Sequence, residues 1–381
     1  MSPSRETLCV HGANHAHPDE KRSLTVPIYQ TAAFSHLQLG HNEHGFDYTR
    51  ISNPTREHLE ETVSALEGAK RSLAFTSGMA AISAVFELFA PGDRVVCSED
   101  LYGGTVLLMD LVGKKNGLEL SFVDTTDPQA LTAAVTAGTK AIYIETPSNP
   151  MMNVTDIRLC ADLAKQAGAL LIVDNTFLSP YFQNPLELGA DIVVHSGTKY
   201  LCGHNDTLSG FLCFADEALA DRVHKIAYAL GAGLSPFDSY LMIRGIKTLA
   251  LRMEHQNRSA QAIARWLQTH PKVKKVHYVG LEEHPGYALN ASQSRGCGGM
   301  LSFTLDSPET ALQLLKKVKI ITFAESLGGP ESLMTLPALQ THRDVAEADR
   351  LRLGITDSLI RLSVGLENTQ DLIDDLAQAL E

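Results

Sequence analysis

Short apolar runs alternate with amphipathic stretches over the first two thirds of the chain. The apolar runs are rich in β-branched residues, which favours strands, whereas apolar residues spaced three and four positions apart favour helices. The predicted strands are 94–97, 118–123, 141–144, 170–173 and 192–195, and the predicted helices are 57–67, 78–89 and 157–166. Because helical and strand signals alternate, the pattern predicts an α/β fold: a mostly parallel sheet with helices on both faces.

The pattern changes on either side of this region. Residues 1–49 are rich in Pro, His, Gly and Asn with weak periodicity, which indicates an extended arm that lies on a partner subunit. Residues 244–266 predict one long helical segment. The predicted elements after it are strands 273–279, 299–305 and 358–364 and helices 310–318 and 369–380. We therefore expect an arm at 1–49, a large domain at 50–243 and a small C-terminal α/β domain at 244–381.

Composition restricts the classes of partner. Of the 381 residues, 44% are hydrophobic, which supplies apolar surface for more than one core. The chain carries 32 Lys and Arg against 44 Asp and Glu, and this net charge of −12 repels nucleic acids and anionic membrane surfaces. Residues 1–30 lack the apolar core of a signal peptide, and no segment reaches transmembrane length. We expect a cytoplasmic protein with neither nucleic acid nor membrane as a partner.

Cysteine and histidine spacing gives no sign of a metal site. The six cysteines are scattered without CxxC spacing, so the sequence predicts neither a disulfide framework nor a zinc site. Two histidine groups could supply ligands: His11 with His15 and His17, and the stretch His41-Asn42-Glu43-His44. Because no helical HExxH pattern accompanies them, surface histidines are the favoured interpretation and no metal is expected.

Lys199 carries the clearest chemical signal. It follows the predicted strand 192–195 within Ser196-Gly197-Thr198-Lys199, so its amine and two hydroxyls leave the same strand end. The preceding strand, 170–173, ends in Asp174. An amine can condense with an aldehyde, hydroxyls can bind a phosphate, and a carboxylate can balance a protonated pyridine nitrogen. Pyridoxal phosphate has all three groups, although a solvated lysine and a helix-capping aspartate are the alternative when each residue is considered alone.

Eight motifs occur in order along the chain. They are Tyr48-Thr49-Arg50 with Asn53-Pro54-Thr55, Thr76-Ser77-Gly78-Met79, Leu101-Tyr102-Gly103-Gly104, Glu145-Thr146-Pro147-Ser148-Asn149-Pro150, Asp174-Asn175-Thr176, Ser196 to Lys199, Glu325-Ser326-Leu327-Gly328-Gly329 and Arg361-Leu362-Ser363-Val364-Gly365. Through these motifs the chain resembles, nearly end to end, the transsulfuration (Cys/Met metabolism) family of pyridoxal-phosphate enzymes. The resemblance implies fold type I, like that of aspartate aminotransferase, with pyridoxal 5'-phosphate as cofactor and small sulfur amino acids as substrates. It also implies a homo-oligomer, a dimer with shared active sites that is commonly paired into a tetramer.

The resemblance implies a set of cofactor contacts. Ser77, Gly78 and Met79 open a predicted helix whose free N–H groups suit a phosphate, although a plain helix cap is the alternative. Tyr48 and Arg50 match the pair that reaches this phosphate from the partner subunit. The other implied cofactor contacts are Tyr102, Asn149, Asp174, Thr176, Ser196, Thr198 and Lys199.

Catalytic and substrate-binding residues are implied in the same way. Lys199 matches the base that moves protons, and Tyr102 matches a tyrosine that stacks on the pyridine ring and exchanges protons with the substrate. Arg361 matches the arginine that binds the substrate α-carboxylate, and Glu325 suits a distal ammonium group. A tyrosine packed in a core, a buried structural arginine and an exposed glutamate are the plain alternatives. The implied substrate-binding set is Arg361, Ser326, Glu325, Asn149 and Tyr48.

The implied activity is cleavage of the γ carbon–sulfur bond of cystathionine. Its products are 2-oxobutyrate, ammonia and cysteine, with release of hydrogen sulfide from cysteine as a side activity. A cystathionine γ-synthase and a cystathionine β-lyase stay open, because the lyases and synthases share almost every catalytic residue. A methionine γ-lyase is disfavoured, since such enzymes often carry cysteine at the position of Gly104 and usually lack a glutamate at that of Glu325.

Two other classes are less compatible with the sequence. A catalytically silent binding protein of the same fold should have lost one of the key catalytic residues, and none of the four is missing: Lys199, Asp174, Tyr102 and Arg361. A nicotinamide-dependent enzyme would need a GxGxxG turn after its first strand, and that turn is absent from the sequence.

Overall fold

Seven strands form the larger of two sheets in the structure, a computed structural model that describes residues 3–12, 23–39, 42, 44–343 and 345–381. The strands are β1 (Arg71–Phe75), β2 (Arg94–Ser98), β3 (Glu119–Val123), β4 (Thr139–Glu145), β5 (Leu170–Asp174), β6 (Ile192–Ser196) and β7 (Gly210–Phe214). Their order across the sheet is β1–β7–β6–β5–β4–β2–β3. Strands β2 to β6 run parallel, and β7 is antiparallel to both of its neighbours, which confirms the predicted mostly parallel sheet.

Helices cover both faces of this sheet. They are α1 (Arg5–His11), α2 (Pro54–Glu67), α3 (Gly78–Phe86), α4 (Gly103–Leu108), α5 (Pro128–Ala134), α6 (Ile157–Ala167), α7 (Ser179–Phe182), α8 (Glu217–Leu230) and α9 (Pro236–Ile246). Val193 of β6 packs in one apolar core with Leu59 of α2, whereas its neighbours Ile192 and Val194 pack in the other with Ile82 of α3. Burial on both faces explains why the central strands are apolar at nearly every position.

A five-stranded sheet follows in the C-terminal part. Its strands are β8 (Val273–His277), β9 (Met300–Leu305), β10 (Thr322–Phe323), β11 (Leu333–Thr335) and β12 (Leu359–Ser363), in the order β10–β11–β12–β9–β8. The helices of this part are α10 (Leu249–Thr269), α11 (Tyr287–Gln293), α12 (Pro308–Lys317), α13 (Glu347–Arg352) and α14 (Thr369–Leu380). Ile263 of α10, Leu314 of α12 and Leu376 of α14 share a third core with this sheet. Across the ranges described, no helix has the length and apolar character needed to cross a membrane.

The prediction of one helix over 244–266 is wrong. Residues 247–248 separate α9 from α10, and α10 continues beyond the predicted end. At the break, Arg252 Nη2 donates a hydrogen bond to the Gly245 carbonyl at 2.9 Å. Gly245 also lies so close to the carbonyl of Cys202 that a Cβ would have no room. Tertiary contacts therefore interrupt a segment whose local pattern is helical.

The described part of the arm also departs from the expected extended structure. Helix α1 lies at its start, and Cys9 is buried in the core that holds α2. The prediction is wrong for residues 5–11 because this short segment packs an apolar face against the body of its own chain. Contact of the arm with a partner subunit, and the boundaries after residues 49 and 243, stay predictions.

Candidate active site

A pocket of about 210 Å³ opens at the C-terminal ends of β4, β5 and β6, where parallel strands of an α/β sheet usually present ligands. It contains every residue of the predicted site except Tyr48 and Arg50. The predicted residues that line it are Ser77, Gly78, Met79, Tyr102, Asn149, Asp174, Thr176, Ser196, Thr198, Lys199, Glu325, Ser326 and Arg361. Residues from both sheets therefore meet in one cavity.

Lys199 lies three residues after β6, with its amine inside the pocket. The Nζ atom donates a hydrogen bond to Ser326 Oγ at 3.0 Å. Burial, and next the positive charge of Arg361, lower the pKa of Lys199 to about 8, against the opposing effect of Glu325. A lysine with this pKa exists to a useful extent as a neutral amine, the form that reacts with an aldehyde or accepts a proton.

Asp174 ends β5 beneath the same cavity and is 7% exposed. Its Oδ1 accepts hydrogen bonds from the backbone N–H and the hydroxyl of Thr176, at 3.0 and 2.6 Å. The Thr176 hydroxyl also accepts the Ser196 N–H at 2.9 Å, which joins the ends of β5 and β6. Burial raises the pKa of Asp174, whereas the two bonds from Thr176 lower it by stabilising the charged form.

Helix α3 points its N-terminus at the pocket. Ser77 is the N-cap, and its Oγ accepts the Ala80 N–H at 3.1 Å. The first N–H groups of a helix lack acceptors within the helix, so Gly78 and Met79 can offer theirs to an anion. Gly78 packs against Ser196, whose Cβ would lie 3.0 Å from a Cβ added at Gly78. Glycine at this position thus keeps the helix start close to the serine hydroxyl.

Arg361 enters the pocket from the second sheet, on β12, and is 3% exposed. Its Nη1 donates to Asn149 Oδ1 at 3.0 Å, and its Nη2 donates to the Ser326 carbonyl at 3.2 Å. Burial lowers the pKa of Arg361 to about 10, so it stays cationic near neutral pH. Ser326 contacts both Lys199 and Arg361, and holds a φ of 90° that non-glycine residues rarely adopt.

Tyr102 stands at the rim of the pocket as the N-cap of α4 and is 40% exposed. Its backbone N–H donates to Glu145 Oε2 at 2.9 Å. Burial, and next the charge of Glu325, raise the pKa of the Tyr102 hydroxyl, so it keeps its proton near neutral pH. Glu145 also lines the pocket, although its motif, Glu145-Thr146-Pro147-Ser148-Asn149-Pro150, predicts no role for it.

Tyr48 and Arg50 lie together away from Lys199. Arg50 Nη1 donates to the Tyr228 carbonyl at 3.1 Å, and its guanidinium carbon lies 4.4 Å from the centre of the Tyr228 ring. Both residues line a separate pocket of about 390 Å³ beside Gly231 and Gly233. Within one chain they do not reach the Lys199 pocket, so their predicted contact with a cofactor phosphate needs a second subunit and stays a prediction.

The described residues contain neither a disulfide bond nor a grouped set of metal ligands. All six cysteines are free thiols. In the ranges that the structure describes, no three or more His, Cys, Asp or Glu side chains are grouped so as to hold a metal ion. Of the histidine groups noted in the sequence, His15, His17, His41 and Glu43 lie outside the described residues.

Comparison with known sequences identifies the family. A sequence model of the family described as "Cys/Met metabolism PLP-dependent enzyme" matches residues 6–381. The chain belongs to this family. Pyridoxal phosphate is therefore its cofactor, and its fold is that of fold type I, in agreement with the sheet described above.

Individual members of the Cys/Met metabolism family with different activities are about equally similar to this chain. A cystathionine gamma-lyase from Bacillus subtilis is 48% identical over 378 residues, covering 99% of both chains. A cystathionine beta-lyase from the same organism is 46% identical over 360 residues, covering 94% of this chain and 92% of the relative. The crystal structure of cystathionine gamma synthase from Xanthomonas oryzae in complex with cystathionine has a TM-score of 0.97 at 40% identity, covering 100% of this chain and 98% of that one. The chain is thus a carbon–sulfur lyase or synthase of transsulfuration.

The pocket has the chemical groups that pyridoxal phosphate needs. No described lysine or arginine forms an ion pair with the buried Asp174, which leaves its charge for a protonated pyridine nitrogen. The start of α3 at Gly78 and the hydroxyls of Ser196 and Thr198 would hold the phosphate. Lys199 would bind the aldehyde. These assignments of individual residues are proposals that follow from the arrangement.

Proposed function

We propose that this enzyme is a cystathionine γ-lyase that forms 2-oxobutyrate, ammonia and cysteine from cystathionine and water. The supporting observation is the position of Glu325, which lines both the Lys199 pocket and an adjoining cavity of about 770 Å³. Cystathionine carries an amino-acid group at each end. Arg361 suits the carboxylate at the reacting end, and Glu325 suits the ammonium group at the distal end, which would extend into the larger cavity.

Lys199 is the base that this reaction requires. When bound, pyridoxal phosphate stabilises the negative charge left on the substrate when a proton is removed next to the amine. Loss of a γ substituent needs proton removal at two neighbouring carbons, so one mobile amine must reach both. The Lys199 amine lies beside Ser326 at the end of a flexible four-carbon side chain. Its pKa of about 8 lets it both accept and return a proton.

Arg361 would bind the substrate, and Tyr102 would protonate the leaving group. Arg361 would hold the α-carboxylate through its two forked donors, which orients the α proton toward Lys199. The Tyr102 hydroxyl keeps its proton because burial raises its pKa, and an acid of this kind can protonate a departing thiolate. The same groups would permit release of hydrogen sulfide from cysteine as a side activity.

A cystathionine γ-synthase is the second candidate. The larger cavity beside Glu325 has room for an incoming cysteine next to a bound homoserine ester, which a replacement reaction requires. A β-lyase would break the other carbon–sulfur bond of cystathionine, whereas a γ-synthase breaks the carbon–oxygen bond of the homoserine ester and forms a carbon–sulfur bond with cysteine. All three reactions would use Lys199, Asp174 and Arg361 in the same positions.

The product formed from cystathionine alone tests the proposal. Purified enzyme loaded with pyridoxal phosphate is mixed with cystathionine, and the keto acid and thiol are identified by mass spectrometry. 2-Oxobutyrate with cysteine supports the γ-lyase, whereas pyruvate with homocysteine would make the enzyme a β-lyase. No turnover, together with condensation of cysteine and an O-acylhomoserine, would make it a γ-synthase. The Lys199→Ala variant is the control and should form none of these products.

A further inference from the structure

Glu145 is a buried carboxyl group of the pocket that the proposed mechanism does not use. It is the last residue of β4 and lies beside Asp174, its register partner at the end of β5. It is 7% exposed. Burial, and next the negative charge of Asp174, raise the pKa of Glu145 well above its usual range. A neutral carboxyl beside a charged one avoids repulsion between the two strand ends and still provides an oxygen that accepts hydrogen bonds.

Glu145 accepts a hydrogen bond from the backbone of Tyr102, and its carboxyl also interacts with the backbone of Asn149. Glu145 Oε2 accepts the Tyr102 N–H at 2.9 Å. On its other side, the Tyr102 carbonyl accepts N–H groups of Thr105 and Val106, at 2.8 and 3.2 Å, in the first turn of α4. The two sets of bonds hold the Tyr102 backbone between the end of β4 and the start of α4. The ring attached to that backbone lines the pocket beside Lys199.

Glu145 also separates two cavities. On the side away from Lys199 it lines a polar pocket of about 210 Å³ together with Asp100, Ser148 and Asn153. Asp100 is 5% exposed and accepts hydrogen bonds from Ser148 Oγ and from Asn153 Nδ2, the latter at 2.9 Å. Asp100 does not line the Lys199 pocket. It is therefore a second buried carboxyl of the same neighbourhood that lacks the contact with Tyr102.

We propose that Glu145 is a positioning residue for the reaction: its hydrogen bond to the Tyr102 N–H fixes the tyrosine at the rim of the pocket. This inference rests on the proposed role of Tyr102 in proton exchange and ring stacking. A hydrogen bond to the Tyr102 backbone restricts where the Tyr102 ring and hydroxyl can lie, because any shift of that backbone moves the whole side chain. The bond needs an acceptor oxygen and not a negative charge.

Three variants test this role: Glu145→Ala, Glu145→Gln and the matched control Asp100→Asn. The measurements are kcat and KM for whichever reaction the wild-type enzyme catalyses, the Kd of the cofactor-free protein for pyridoxal phosphate, and the melting temperature. We expect Glu145→Ala to lower kcat by about tenfold or more, with KM within about twofold because Arg361 is untouched. Its affinity for pyridoxal phosphate should also fall. Glu145→Gln keeps an acceptor oxygen, so its kcat and its affinity for pyridoxal phosphate should equal those of the wild type. Asp100→Asn should also match the wild type in both quantities.

Three results would overturn the role of Glu145. The first is a Glu145→Ala variant with wild-type kcat and cofactor affinity. The second is a folded Glu145→Gln variant as impaired as Glu145→Ala, since an acceptor oxygen would then not be sufficient. The third is an Asp100→Asn variant with the same defects, which would point to general loss of buried polar contacts. The assay follows whichever reaction the wild-type enzyme catalyses. If the enzyme is a synthase or a β-lyase instead of a γ-lyase, the measured product changes, but the comparison of the Glu145 variants with the wild type still holds.

Discussion

At the scale of single residues, two charged neighbours shift the pKa of Lys199 in opposite directions. Burial, and next repulsion by Arg361, lower its pKa, whereas attraction by Glu325 raises it, and the net result is a pKa of about 8. Both neighbours also belong to the proposed substrate site. The residues that would bind substrate therefore also set how much of the lysine is neutral before substrate arrives.

The cofactor-free protein allows this effect to be measured. The rate at which a small ester acylates Lys199, followed by mass spectrometry of its peptide, should rise with pH around a midpoint of about 8. Arg361→Ala removes a positive charge and should raise the midpoint, whereas Glu325→Gln removes a negative charge and should lower it. Midpoints that shift in the same direction in both variants would contradict this account.

Gly104 controls the space beside the Tyr102 ring. A Cβ at this position would lie 2.5 Å from Tyr102 Cε1 and 3.2 Å from Met79 Sδ, so Gly104→Ala should displace the ring. Alanine favours helix over glycine, so we expect unchanged or slightly higher stability of the fold. We expect kcat to fall by about tenfold, because the tyrosine is misplaced. The control is Gly138→Ala, where a Cβ meets open space. A wild-type kcat for Gly104→Ala would show that the ring tolerates the shift.

At the scale of elements, one buried arginine connects the loop after Lys199 to the break between α9 and α10. Arg252 is 3% exposed, and it donates to the Tyr200 carbonyl at 2.7 Å and to the Gly245 carbonyl at 2.9 Å. Both acceptors are buried, so the arginine satisfies groups that no water can reach. The helix break and the position of the loop after Lys199 therefore depend on the same side chain.

Arg252→Ala should destabilise the fold more than removal of an exposed arginine from the same helix. We expect the free energy of unfolding to fall by about 2–4 kcal/mol, because two buried carbonyl groups lose a charged donor. Arg258→Ala is the control: its side chain is 68% exposed and lies 3.8 Å from Glu254. Its effect should stay within about 0.5 kcal/mol. Urea unfolding of the cofactor-free proteins gives both values, and equal losses would contradict the role of Arg252.

At the scale of the whole molecule, a single site draws on parts that are distant in the chain. Asp174 ends a strand of the first sheet, Lys199 lies three residues after the next strand, and Arg361 lies in a strand of the second sheet. Tyr48 and Arg50 lie outside that pocket in their own chain. If the predicted dimer forms, the pocket of one subunit would receive this pair from the other.

Mixing two inactive variants tests the shared site. Lys199→Ala and Arg50→Ala proteins are purified separately, then unfolded and refolded together. If each site combines Lys199 of one subunit with Arg50 of the other, a mixed dimer has one intact site and one doubly altered site. An equal mixture should then recover about one quarter of the wild-type activity per site. Recovery should be absent when either variant is refolded alone. Failure of the mixture to regain activity, with dimers present by light scattering, would place Arg50 outside the site.

Several features follow from local sequence. The apolar runs before Asp174 and Lys199 predict strands, and parallel strands bring these two residues to one edge of a sheet because their carboxyl ends meet there. Helix α14 was predicted with the observed bounds of 369–380. Strands β1 and β7 were not predicted, since short apolar runs do not distinguish strand from helix by periodicity alone.

By itself, the sequence determined the α/β fold class, the family and the set of residues around Lys199, because strand and helix signals and motifs are local patterns. Only the tertiary structure decided that α9 and α10 are separate, that Arg361 contacts Asn149, and that Glu145 holds the Tyr102 N–H. The physical reason is distance along the chain. A periodic pattern records which side of an element is apolar, whereas contacts between polar groups dozens or hundreds of residues apart depend on how the elements pack.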